Sequence, residues 1–94
     1  MKYRIFELRV ELLPDNPQRT PQRDRSLALG YTSKDSLKDA EALFEEFGQL
    51  FRVKVVGVKS HQDFESLEEV KEPISIQRLK KTESYPFCDI ALIG

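Results

Sequence analysis

Between residues 3 and 13, Phe6, Leu8, Val10 and Leu12 alternate with Glu7, Arg9 and Glu11. This is the two-residue period of a β-strand with one dry face and one wet face. A strand of this kind is not stable alone. Its apolar side must be covered, so the chain has to supply neighbouring strands and a layer packed against them.

The covering layer is legible at residues 36–47, where Leu37, Ala40, Leu43, Phe44 and Phe47 recur at three- and four-residue spacing, with Leu50 just beyond. That stripe predicts an amphipathic helix. Ser36, with Asp39 three positions on, suits its N-cap, and Gly48 is placed to end it in a left-handed conformation. Each large apolar side chain buried there is worth roughly 1.5–3 kcal/mol, against a few tenths for an exposed pair such as Lys38/Glu41. Packing therefore decides whether this helix forms.

Residues 14–25 carry Pro14, Pro17 and Pro21, each without an N–H donor, and are expected to form a mobile Pro/Arg-rich loop. Leu27, Leu29 and Tyr31 then alternate around Gly30, consistent with a strand returning antiparallel to the first. Phe51 to Val58, with Val53, Val55, Val56 and Val58 apolar on both sides, reads as a central strand. Ser60 and Asp63 offer caps for a short helix bearing Phe64, Leu67 and Val70, which Pro73 would terminate. Ile74 to Leu79 and Phe87 to Ile93 flank a polar turn near Thr82 and suggest a closing β-hairpin.

The fold class expected is α+β, in a single domain spanning residues 1–94. It would hold a mixed, mainly antiparallel sheet of four to five strands, with one long and one short helix on one face, in the order β-β-α-β-α-β-β.

Composition narrows function mainly by exclusion. Fifteen basic against sixteen acidic side chains leave a net charge of −1, so no global field draws the chain to nucleic acid or anionic lipid. No stretch has the length and apolarity of a membrane span or secretory signal. Cys88 is the sole cysteine, which excludes an intramolecular disulfide and a cysteine-based metal cluster, and suits a reducing cytoplasm. Glu41, Glu45, Glu46, Glu65, Glu68, Glu69 and Glu72 read as exposed helix faces, because no histidine or calcium-loop spacing accompanies them. Phosphate-cradling glycine motifs are absent, so no cofactor and no metal are expected.

The most function-like feature is Arg19, Arg23 and Arg25 with Gln18 and Gln22 on the proline-bearing loop. Guanidinium groups there can grip phosphates and amides can read base edges, although Asp24 dilutes the charge. Lys54 extends the patch if the fold brings it near, as do Lys59, Arg78, Lys80 and Lys81. His61, two positions before Asp63, has the minimal makings of a tuned base, yet no nucleophile motif accompanies it. Cys88 shares parity with Ile90 and Leu92 and reads as a buried, inert thiol.

With no catalytic residue indicated, the expected function is a small non-enzymatic interaction module. It would self-associate or act as an accessory subunit of a protein assembly, its partner being a protein or a second copy of itself. The alternative is weak nucleic-acid binding through loop 18–25, with Gln18, Arg19, Gln22, Arg23, Arg25 and Lys54 as contacts.

Overall fold

Strand β1 (Tyr3–Leu12) forms where the alternation predicts it, and β2 (Arg25–Thr32) returns beside it with Phe6 opposite Gly30 and Leu8 opposite Ala28. The computed structural model describes residues 2–93. In it α1 (Leu37–Phe47), β3 (Val53–Phe64), α2 (Pro73–Lys81) and β4 (Cys88–Ile93) follow in turn. The sheet order is β3-β1-β2-β4, and every neighbouring pair is antiparallel. The expected α+β class is observed, with four strands, one long helix and one short one.

Opposed residues of an antiparallel pair point to the same side, so the even-numbered residues of β1, β2 and β4 share one face. There Phe6, Leu8, Val10, Leu12, Ala28, Cys88 and Ile90 pack with Val53 and with Ala40 and Phe44 of α1. The Phe6 and Phe44 rings meet edge to face at 5.0 Å. Ser36 caps α1 as expected, its hydroxyl accepting from Asp39 N at 3.4 Å.

Gly48 does not take the left-handed turn assigned to it. It stays right-handed (φ −53°, ψ −37°), the chain runs on as a 3-10 turn over Gly48–Phe51, and Arg52 (φ 60°, ψ 36°) makes the reversal. Glycine is needed at 48 for room, because a Cβ there would lie 2.9 Å from the Val53 carbonyl oxygen.

The second half of the chain departs most from expectation. β3 is an edge strand, not a central one, and it continues through the predicted helix start at Ser60 as far as Phe64, pairing with β1 down to Tyr3. The decisive local cue is the alternation of His61 and Asp63 with Gln62 and Phe64. The cap belongs to Ser66 instead, where the Glu69 carboxylate accepts from Ser66 N at 3.1 Å around the single turn Leu67–Glu69.

Pro73 opens a helix rather than closing one. At the first helical position a missing N–H costs nothing, and Ser75, Ile76 and Leu79 then fall inward at helical spacing. The strand expected at 74–79 is therefore helix, the closing hairpin does not exist, and β4 pairs with β2. The order ends as β-β-α-β-α-β.

The two helices also lie on opposite faces of the sheet, not on one. α2 brings Leu79 and Ile76, with Val70, onto Tyr3, Tyr31, Ile5, Leu29 and Ala91, which are odd-numbered sheet residues. Those apolar side chains give the second face a dry patch of its own, and α2 covers it. Arg78 pins the helix, donating to Asp89 Oδ2 at 2.8 Å while lying 5.8 Å from the Tyr31 ring centre. Among the described residues no helix is long and apolar enough to cross a membrane.

Candidate interaction face

α2 covers only the Tyr3/Tyr31 end of the second face. Beyond it the odd-numbered residues of β1 continue as Glu7, Arg9 and Glu11, and here the sheet is open. Arg9, Glu11, Arg25, Leu27 and Val56 line a shallow hollow on this surface. Leu27 is 36% exposed, Val56 51% and Ile93, opposite Leu27, 40%. Val56 is presented by an irregularity of β3, whose register against β1 slips between Arg9 and Val10.

The charges interleave by register. Glu11 stands opposite Arg25 on β2 and opposite Lys54 on β3, so an acidic position is flanked across the ladder by two basic ones. Arg9 follows on the same face, opposite Leu27 and Gly57. The result is a small aliphatic surface bordered by both signs of charge.

Of the residues singled out in the sequence, Arg25 and Lys54 reach this face. Arg23 is half-buried and donates from Nη2 to Ser26 Oγ at 3.3 Å. Arg19 lies in a separate hollow with Thr20, Pro21 and Asp24, and Gln22 is exposed. Gln18 is placed elsewhere, with Pro17, Leu50, Phe51, Ile90 and Leu92. The set is therefore not gathered into one patch. Arg9, Leu27, Val56 and Ile93 are the residues that sequence reasoning missed, although the charged half of the first alternation pointed to the wet face that Arg9 occupies.

Loop 13–24 has internal structure. Asn16 is buried, donating from Nδ2 to Arg52 O at 3.0 Å and accepting from Gln18 N at 2.9 Å. Thr20 and Arg23 exchange backbone hydrogen bonds of 3.0 Å each way. Leu12 N donates to Asp24 O at 2.8 Å, which ties the two ends of the loop.

A second polar cluster sits on the α1 face. His61 Nδ1 lies 2.9 Å from Asp63 Oδ1, which also accepts from Arg4 Nε at 3.1 Å, while Arg4 Nη1 donates to Lys34 O at 2.8 Å. Partial burial disfavours the Asp63 carboxylate, but the His61 hydrogen bond and the Arg4 charge outweigh it and hold the group below the usual carboxylate range. Arg4 is almost fully buried, and Asp63 neutralises it. Among the described residues no hydroxyl or thiol is hydrogen-bonded to the His61 ring.

Cys88 is a buried free thiol, pushed up to about 11 by burial and then by the neighbouring Asp89 charge. That setting suppresses thiolate chemistry. No group of three or more His, Cys, Asp or Glu side chains that can hold a metal occurs among the described residues. Comparison with protein-family models, curated proteins and solved structures returns no match for this chain.

Proposed function

We propose that this chain is a small non-enzymatic interaction module, self-associating or serving as an accessory subunit of a protein assembly, and that the open end of the second sheet face is where a protein partner docks. The observation that carries the reading is the exposure of Leu27, Val56 and Ile93 on a rigid sheet beside Arg9, Glu11, Arg25 and Lys54. An aliphatic centre bordered by mixed charge is the anatomy of a protein contact, in which burial supplies affinity and the rim supplies orientation. The unpaired, buried Cys88 suits a reducing cytoplasm.

The test is a pair of substitutions, Leu27→Glu with Val56→Glu, in side chains exposed enough for the fold to tolerate them. Wild-type protein cross-linked in its own cell extract should join a partner through peptides containing residues 9–11 or 25–27, and the doubly substituted chain should not. Undiminished cross-linking at an unchanged melting temperature sinks the reading.

A second reading, weak nucleic-acid binding, draws on Arg25 and Lys54 sharing a face with Arg9. Three phosphate contacts would give a salt slope near −2.7, so raising salt from about 50 to 200 mM would weaken binding roughly 40-fold. Glu11, between two of the cations, counts against it. Absence of any RNA or DNA binding at low salt eliminates this alternative.

A further inference from the structure

We infer that β4 is the seam along which two copies of this chain join, their β4 strands pairing antiparallel about Ile90. The inference rests on the sheet edge and does not depend on the open-face reading above.

The first step is to establish which backbone groups the edge offers. In an antiparallel ladder alternate residues direct both N–H and C=O to one side. The carbonyls of Phe87 and Ile93 accept from Thr32 Oγ1 at 3.0 Å and Ser26 Oγ at 3.3 Å, both groups belonging to β2. Ile90 N, by contrast, donates to Asp89 Oδ1 at 3.0 Å. The odd-numbered residues of β4 therefore face β2, and Cys88, Ile90 and Leu92 present their backbone groups outward.

Outward groups can bond only to outward groups. With a two-fold axis at Ile90, Ile90 meets Ile90 of the second copy and Cys88 meets Leu92, each pair exchanging both hydrogen bonds. Moving the axis to residue 89 sets the two Asp89 carboxylates against each other and leaves Leu92 opposite Pro86, which has no N–H. The edge is thus self-complementary in register about Ile90, which is the ground for naming a second copy as its occupant. Charge agrees: Asp89 is the only charged residue of β4, and the antiparallel register places it opposite Ala91 rather than against its own copy. The Asp89 carboxylate on Ile90 N–H occupies the place of the partner carbonyl and is exchanged for it on pairing.

The two edges of the sheet differ in how they are guarded. β3 carries exposed Lys54 and Lys59 and two register slips against β1, devices that discourage edge pairing. β4 pairs with β2 without a slip over Cys88–Ile93. Apolar side chains flank it, Leu50 at 57% exposure and Phe51 lining a hollow with Ile90 and Leu92, and Tyr85 at 69% beside Cys88. Joining the β4 edges gives an eight-stranded sheet whose outer strands are both the guarded β3, so assembly closes at two copies rather than propagating.

Sedimentation over a concentration series, combined with amide hydrogen exchange, tests this. The expected result is a reversible dimer in which protection at Cys88, Ile90 and Leu92 rises with concentration while that along β3 does not. Leu92→Pro removes an outward N–H without touching the β2 ladder and should loosen the dimer at least tenfold. Leu27→Glu with Val56→Glu should leave it intact. A strict monomer at ~1 mM, the regime of the weakest specific contacts, overturns the inference. So does a dimer whose concentration-dependent protection lies elsewhere, or one abolished by Leu27→Glu with Val56→Glu; that last result assigns self-association to the open face. Should Leu92→Pro fail to fold, exchange in the wild-type protein alone decides.

Discussion

The ring of Phe44 lies over Gly30 so closely that a Cβ at residue 30 would stand 2.8 Å from its Cε1, and 2.7 Å from Leu8 Cδ1 on the paired strand. Strand β2 is thinned at that point so that α1 can approach the sheet. Gly30→Ala should cost about 1–3 kcal/mol by overpacking, although alanine is the better strand former in isolation. Phe44→Ala should cost about 3–5 kcal/mol and threaten the whole fold. Because the added methyl would enter space that the lost ring had filled, the double substitution should cost less than the sum. Urea titrations of the three variants check all of this.

Asn16 predicts a cost within the loop. Its amide serves both Arg52 O and Gln18 N from a buried position, so Asn16→Leu removes the acceptor of Gln18 N and leaves Arg52 O with the Leu13 N–H alone, and should lower stability by about 1–3 kcal/mol. Replacing Arg19 or Gln22, both exposed, with alanine should change the melting temperature by no more than about 2–4 °C, as exposed substitutions generally do. Thermal melts separate the two cases.

Asp63 makes stability depend on acid. Its folded-state pKa lies below the ordinary value, so the unfolded chain binds the proton more readily and stability rises with pH across the interval between the two. The contribution is whole above the ordinary carboxylate range and disappears as pH falls through the lowered value. Asp63→Asn should flatten that part of the profile and leave a smaller difference between neutral and acid pH, read from urea midpoints.

Cys88 should resist thiol reagents. With its pKa at about 11, only about one thiol in a thousand is ionised at pH 8, and burial shields the remainder. Labelling should follow unfolding, quickening in step with urea-induced opening. Rapid modification of the native protein would contradict the assigned burial.

The parts of the fold written in local periods were legible: the alternation of β1, the Phe44 stripe, the Ser36 cap and the apolar run of β4. Residues 60–81 were not, because each local signal there has two meanings. A proline ends one helix or begins another, and at Pro73 only the inward fall of Ser75, Ile76 and Leu79 decides. Ile74 and Ile76 fit a strand period as well as a helical one until Ile74 is found exposed. Ser60 and Asp63 resemble caps but lie in a strand, because Glu7 and Arg4 are waiting opposite them. The candidate face was legible only in part: Arg25 and Lys54 were noticed as charges, whereas their meeting at Glu11 depends on a sheet order that no local pattern encodes.

The pairing of β2 with β4 also bears on how the chain is made. Thr32 and Phe87, which join across that seam, lie 55 positions apart, so β2 waits for that length of chain before its second edge is closed. Through that interval of synthesis or refolding, Leu27 to Tyr31 form an open, aliphatic template held by β1 alone, and long-range closure of this kind is slow. Closure by β4 thus retires an aggregation-prone aliphatic edge that β1 alone leaves open in the nascent protein.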